Sequence, residues 1–279
     1  MEEKLRGLGI FAWFGYDLPI ENRLRLIKNA GFDATALWWG GNDKEPDLAR
    51  KIGLEIDNIH TPFNNNTSIW FDGLDGEDYR DRLISCVEDC HTHGISTAVI
   101  HIHLTPFMMG NIGAVNWNLG LKRIAKIVDA AESRNIRLAF ENLTLLEPLN
   151  AVFERFPSKY AGFCYDSGHE NLHGAPNDCL ALYGDKLFAL HLHDNFGDTD
   201  AHTLPFDGNI NWEEKMKKLR KCNNVDYLTL EVDFLHNRHI QNTIYKDMYK
   251  NLSAEEYLNS AYDRAVKLRY WFTGKIQNL

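Results

Sequence analysis

Basic residues are outnumbered by acidic ones in this sequence, and long apolar runs are missing from it. Its 279 residues carry 30 lysines and arginines against 39 aspartates and glutamates, a net charge of −9. That balance works against unaided attraction to a phosphate backbone or an anionic membrane, so a polyanionic partner would need a local basic patch. No stretch approaches the roughly 18 consecutive apolar residues of a membrane span. The opening Met1-Glu2-Glu3-Lys4 lacks the basic-then-apolar signature of a signal peptide, and the expected location is the cytoplasm. The five cysteines, Cys86, Cys90, Cys164, Cys179 and Cys222, are odd in number and include no C-x-x-C pair, which argues against the usual zinc and dithiol motifs. Cys86 and Cys90 share a helix face ahead of His91 and His93. A metal clip there competes with plain burial of two small side chains, and burial is the stronger reading. No low-complexity tract, composition break or Pro/Gly-rich linker divides the chain, so residues 1–279 are expected to form one domain.

What is present is an ordinary globular composition, 44% hydrophobic and 25% charged, able to bury a large core. Short β-type runs alternate with longer amphipathic stretches, the pattern of βαβ units on a parallel sheet. Eight runs are expected as strands: Gly9–Ala12, Ala34–Trp38, Glu55–His60, Thr97–His101, Arg137–Glu141, Ala161–Asp166, Leu187–His191 and Tyr227–Val232. Between the first two, Ile20–Ala30 sets Leu24, Leu26, Ile27 and Ala30 on one side of a helix, with Gly31 placed to close it. Lys51-Ile52-Gly53, Cys90–Gly94, Ala130–Asn135 and Tyr183-Gly184 repeat that ending. Ser253-Ala254-Glu255-Glu256 reads as a capping box opening the last helix. Eight strand–helix pairs fit a closed (β/α)₈ TIM barrel better than a doubly wound open sheet. The dinucleotide version of the open sheet needs a glycine turn that opens a helix, and Gly7-Leu8-Gly9 lies before or in the first strand.

In such a barrel, chemistry gathers at the C-terminal ends of the strands. Strands three to eight end in turn on His60, His101, Glu141, Asp166, His191 and Glu231; His169 lies one turn beyond Asp166, His193 two residues beyond His191, and Asp200 and His202 in the following loop. Taken singly, a strand-end histidine reads as a satisfied structural residue and a strand-end carboxylate as a helix cap. Six in succession are hard to obtain from packing. Four carboxylates converging on one opening would repel one another and raise their own pKa values unless a cation lay between them. Glu141, Asp166, His191 and Glu231 are therefore expected to hold a divalent metal. The oxygen and nitrogen donors suit Mn²⁺, Zn²⁺, Mg²⁺ or Co²⁺. Trp13, Trp38, Trp39 and Trp70 lie on or just past early strands, where an indole either stacks on a sugar-like ring or roofs the barrel; Trp13 and Trp38, with His60, are candidate substrate contacts. His91, His93, His173, His236 and His239 read as loop or helix-end residues.

These motifs resemble the xylose isomerase-like TIM-barrel superfamily, which joins sugar isomerases and epimerases, inosose dehydratases and abasic-site nucleases of the endonuclease IV type. The resemblance spans essentially the whole chain. It rests on Leu24 through Asp33, Glu141-Asn142, Asp166-Ser167-Gly168-His169, and His191-Leu192-His193-Asp194 through Asp207-Gly208-Asn209-Ile210-Asn211-Trp212. It implies one metal, commonly Mn²⁺, on Glu141, Asp166, His191 and Glu231, with Glu141 and Glu231 also moving protons and His169 touching substrate. The nuclease branch implies a trinuclear zinc site, whose nine ligands would correspond here to His60, His101, Glu141, Asp166, His169, His191, Asp200, His202 and Glu231. One departure is Ala36, near the end of strand two, where many sugar-isomerase relatives carry an acid.

The loops choose between the branches. Trp13–Asn22, Thr61–Tyr79, His103–Trp117, Asn142–Asn150, Ser167–Asp178 and Asp194–Trp212 contain no lysine or arginine; Lys44 and Arg238 are the exceptions nearby. Phosphate recognition calls for such residues, so nucleic acid is disfavoured and a small uncharged keto-sugar or polyol is expected. The expected reaction is isomerisation or epimerisation by proton transfer beside a carbonyl, Glu141 and Glu231 acting as base and acid while a divalent metal stabilises the enediolate. Dehydration of a cyclic polyol would use the same parts.

Overall fold

The computed structural model describes residues 6–40, 44–111, 115–222, 225–234, 245 and 248–274. Eight parallel strands run in the order β7-β6-β5-β4-β3-β2-β1-β8. They are β1 Gly7–Phe11, β2 Ala34–Trp38, β3 Glu55–His60, β4 Thr97–Ile100, β5 Arg137–Glu141, β6 Ala161–Asp166, β7 Leu187–His191 and β8 Tyr227–Leu230. A parallel bridge between Leu192 and Leu230 joins β7 to β8 and closes the ring into a barrel. Helices surround it, as the alternating pattern requires. Among the described residues no helix is long and apolar enough to cross a membrane.

Three strands differ from the sequence reading, and β1 ends one residue sooner, at Phe11. β1 starts two residues earlier, because Gly7 and Gly9 pair with Tyr227 and Thr229 of β8. A Cβ on either glycine would fall 2.5 Å from the opposing side chain, so both glycines serve close strand packing inside the barrel. β4 and β8 stop before His101 and Glu231, which sit just past the last ladder-paired residues, where the chain turns toward the loops.

The first and last helices pack against each other. Ile20–Ala30 buries Leu24 and Ile27 and ends at Gly31, whose φ of 110° lets its N–H reach the Ile27 and Lys28 carbonyls. Ala254–Thr273 opens with the expected capping box between Ser253 and Glu256 and packs beside the first helix, β1 and β8. Inside the barrel, Val99, Ala139, Cys164 and Ala189 make a layer of small buried side chains. Because side chains alternate along a strand, residues two further on stand on the same inner side, directly above that layer. Those residues are His101, Glu141, Asp166 and His191. Cys86 and Cys90 are fully packed in the core, which is the burial reading.

The long segment after β3 is clamped by one cation. Arg123 is 3% exposed. Its Nη1 donates to the carbonyls of Ser68, Ile69 and Phe71, its Nη2 to Gly73, and its Nε to Glu77 Oε1 at 2.7 Å. Gly76 leaves room for the guanidinium. Replacing Arg123 with Met should destabilise the fold by roughly 3 kcal/mol, since several carbonyls lose a charged donor at about 1–3 kcal/mol each and solvent recovers part of it. Urea unfolding measures this directly; a loss under about 0.5 kcal/mol, the range of an ordinary surface change, would show that the clamp carries no load.

Candidate functional site

Glu141, at the end of β5, lies under four imidazoles. Its Oε2 is 3.0 Å from His191 Nδ1, 3.1 Å from His101 Nε2 and 3.8 Å from His60 Nε2, and its Oε1 is 3.0 Å from His169 Nδ1. His191 Nδ1 is shared, with Glu231 Oε2 2.9 Å away on its other side. Asp166 faces His193 Nε2 at 3.1 Å and His169 Nδ1 at 3.6 Å. Asp200 reaches His202 Nε2 at 3.2 Å and His169 Nε2 at 3.4 Å. One donor atom from each of Glu141, Asp166, His191 and Glu231 falls within 4.8 Å of the others, and the same holds for His60, Glu141 and His191, and for His193, Asp200 and His202.

Two features test whether these residues suit a cation. Buried polar atoms are normally hydrogen-bonded, yet His169 Nδ1, His191 Nδ1 and Nε2, Asp200 Oδ1 and Glu231 Oε2 are buried without such a partner. The ring tautomers are also set from behind. His60 Nδ1 bonds the Thr61 carbonyl at 2.8 Å and His202 Nδ1 the Glu231 carbonyl at 2.9 Å, so in each neutral ring the Nε2 lone pair is directed at the cluster. The donor set fits a divalent metal that accepts oxygen and nitrogen.

Without a cation, protons take its place. Burial alone would raise Glu141 and Glu231, but His191 outweighs it in both, aided by His101 at Glu141 and by His202 at Glu231, and both carboxyls are held well below the usual range. Burial pushes His60 down to about 3, with His101 adding to the effect. Burial would also lower His202, but Asp200 reverses it and raises the ring to about 10. Against burial, His169 is likewise raised by Asp166 and Asp200, and His191 by Cys164, Glu231 and Glu141.

The loops that present these groups are fastened from beneath. Asn142 exchanges hydrogen bonds of 2.8 Å with the Asp166 backbone, tying the ends of β5 and β6. Asp166 Oδ1 accepts from the His169 N–H and caps the short turn Ser167–His169. Gly168 is required there, because a Cβ would lie 1.9 Å from the His193 ring. Asp194, fully buried, accepts four bonds: Oδ1 from the N–H groups of Asn195 and Ile210, Oδ2 from the Phe206 N–H and the Trp212 indole. It thereby shapes the loop that carries Asp200 and His202. The Asp207–Trp212 motif serves this anchoring, with Gly208 making room for the Asp194 carboxylate.

The cluster opens into a cavity of about 620 Å³ lined by Phe11, Trp13, Trp38, His60, Phe63, His101, Glu141, His169, Asp200, His202, Glu231, Val232 and Asp233. None of these is a lysine or arginine.

Residues 24–248 match a family model described as a xylose isomerase-like TIM barrel. The chain belongs to this family. The uncharacterized protein y4fM of Sinorhizobium fredii is 28% identical over 296 residues, covering 90% of this chain and 93% of the relative. D-Psicose 3-epimerase with D-tagatose, from Clostridium cellulolyticum H10, matches with a TM-score of 0.74 at 14% identity, over 95% of this chain and 99% of that one. The IOLI protein with a binding zinc atom matches with a TM-score of 0.72 at 15% identity, over 95% and 99% of the two chains. At such identities these two structures establish the shared fold.

Within this xylose isomerase-like barrel, all nine residues singled out as ligands stand at one end and meet. Trp13 and Trp38 line the cavity as expected. Two other tryptophans do not: Trp70 is buried and donates to the Ile102 carbonyl, and Trp39 donates to Asp89 Oδ2 outside the cavity. His193 joins the cluster as well, beside Asp166. Its signal was the two-residue spacing from His191, which puts both rings on one side of an extended chain. Phe11, Phe63 and Asp233 also line the mouth and carried no such signal. His236, Arg238 and His239 lie outside the described residues.

The raised histidines predict a pH dependence for metal-free protein. A ring near 6.5 when unfolded and about 10 when folded, as at His202, stabilises fully below about 6.5 and loses that contribution as pH climbs toward 10. Between about pH 6.5 and 8.5, before thiols and phenols ionise in the unfolded chain, the urea midpoint in chelator should fall. Asp200→Asn should flatten the slope, whereas an unchanged midpoint across that window would contradict the assignment.

Proposed function

We propose that this chain is a metal-dependent sugar isomerase or epimerase that moves a proton at a carbon beside a carbonyl. The observation that carries the reading is the placing of Glu141 and Glu231 on either side of His191 Nδ1, at 3.0 and 2.9 Å, in a cavity that no Lys or Arg lines among the described residues. The sugar epimerase among the related folds points the same way.

Glu141, Asp166, His191 and Glu231 would hold the metal. Bound there, a divalent ion supplies Lewis acidity that stabilises negative charge developing on neighbouring substrate oxygens. The remaining work falls to the chain. One glutamate, ionised, would accept the carbon-bound proton, and the other, carrying a proton taken up from solvent, would return one to the opposite face. Their different settings suit the division. Glu141 is enclosed by imidazoles that fix its orientation, while Glu231 stands at the edge of the open cavity. His169, between Glu141 and Asp200, borders the cavity together with His60 and Trp38, and these three would be the substrate contacts.

A second reading, a zinc-dependent hydrolase of phosphodiesters, is favoured by the three adjoining donor groups and opposed by the absence of Lys and Arg from the described residues that line the cavity. A cyclic-polyol dehydratase would use the same proton carriers and differ in releasing water.

Glu141→Gln and Glu231→Gln should each lower kcat/KM by about 10²–10⁴-fold, the usual worth of general acid–base catalysis, while circular dichroism stays that of the folded chain. The assay is exchange of solvent deuterium into D-psicose, D-tagatose and D-fructose; full exchange by either variant would remove these proton carriers. Metal analysis separates the readings. One ion per chain supports the epimerase, and three ions with nicking of abasic-site DNA would replace it with the nuclease.

A further inference from the structure

The mouth has two dissimilar sides. β3 to β8 contribute imidazoles and carboxylates. The side formed by β1, β2 and the loop after β3 contributes Phe11, Trp13, Trp38 and Phe63. Among the described residues that line the cavity there is no Asn, Gln, Ser, Thr, Lys or Arg, so a hydroxyl-rich group on the aromatic side would find almost nothing to bond. The carboxylate nearest to it, Asp233, already accepts the Trp13 indole N–H at 2.9 Å.

These rings are held in place before any ligand arrives. Trp13 is backed by the Arg23 guanidinium 5.1 Å from its centroid. Trp38 is wedged between Phe11 and His60, with centroids at 5.3 and 4.4 Å. Phe63 lies 5.6 Å from Trp38 and 5.8 Å from His101, so it adjoins the donor cluster, yet it is 46% exposed. Phe107 and Met109, in the segment after β4 at the same end of the barrel, are also exposed. A cavity near 620 Å³ falls within the roughly 300–1,000 Å³ that larger, drug-sized ligands fill, which is more than a single hexose occupies.

Building on the epimerase reading, we infer that the substrate is a keto-glycoside, a glycoside whose sugar ring carries the carbonyl that proton transfer requires, with an aromatic aglycone, its sugar ring on the imidazole and carboxylate side and its aglycone on Phe63, Trp38 and Trp13. Offset or edge-on contact between rings supplies the selectivity, and filling the mouth covers Phe63. A glycosidic link separates sugar and aglycone by about one ring width, which matches the adjacency of Phe63 to His101.

The test is calorimetric binding to metal-loaded protein, comparing 4-nitrophenyl glucosides of both anomers with the corresponding methyl glucosides. The aryl compounds should bind at least tenfold more tightly, and Phe63→Ala should bring the ratio to within about twofold while Phe63→Tyr retains it. Equal affinities, an advantage that survives Phe63→Ala, or no binding of any glucoside would overturn the inference. Because the ratio does not depend on turnover, its loss removes the aglycone site, whereas loss of deuterium exchange removes the epimerase reading.

Discussion

The Glu141 carboxylate, buried beneath His60, His101, His169 and His191, is the contact on which this end of the barrel depends. A carboxylate removed from water is costly unless charge or hydrogen bonds meet it, and here four strands or their loops must each deliver a ring to meet it. The requirement reaches downward as well. The layer beneath is built from Val99, Ala139, Cys164 and Ala189, small enough for the strands to crowd and for the ligand-type residues above them to converge. It also reaches sideways into the loops. Asn142 and Ser167 bond backbone groups, and Asp194 bonds three backbone N–H groups and the Trp212 indole, which fixes the loops that carry Asp166, His169, Asp200 and His202.

The cluster can be read as one charge problem with two solutions. Metal-free, the imidazoles take up protons and act as the cations, which is why His169, His191 and His202 rise while Glu141, Asp200 and Glu231 fall. With a divalent ion, those same nitrogens must give up their protons to become donors. Metal and proton therefore compete for one set of atoms, and rising pH favours the metal. The buried atoms without hydrogen bonds mark where that exchange is centred.

Much of this was legible in the sequence because the barrel imposes strict periodicity. A short apolar run ending on a polar residue, repeated at each turn of βα, gives both the strand and its terminal group; Glu55–His60, Arg137–Glu141 and Ala161–Asp166 came out with the same bounds. What the pattern could not give was contact between elements. Trp70 and Trp38 look alike in sequence, and only packing against Gly120 sends Trp70 into the core. Gly7 and Gly9 have no local reason to lie in a strand, their reason being Tyr227 and Thr229, more than two hundred residues away. His193 was visible by spacing, but its neighbours Asp166 and Asp200 arrive from β6 and from a long loop.

The division of the mouth into a polar and an aromatic side follows from the same constraint. Donor atoms that must lie within 4.8 Å of one another crowd onto neighbouring strands, and β3 to β8 supply them. β1 and β2 complete the ring without adding charge. Their glycines and alanines keep the barrel narrow, and their terminal rings, Phe11 and Trp38, stand against His191 and His60 at 5.0 and 4.4 Å. Apolar walls exclude water and lower the local dielectric, so each carboxylate–imidazole or carboxylate–cation contact counts for more than it would in solvent. The aromatic side is thus part of the electrostatics of the centre before it is a surface for a ligand, and any substrate that reaches the carboxylates must accommodate both.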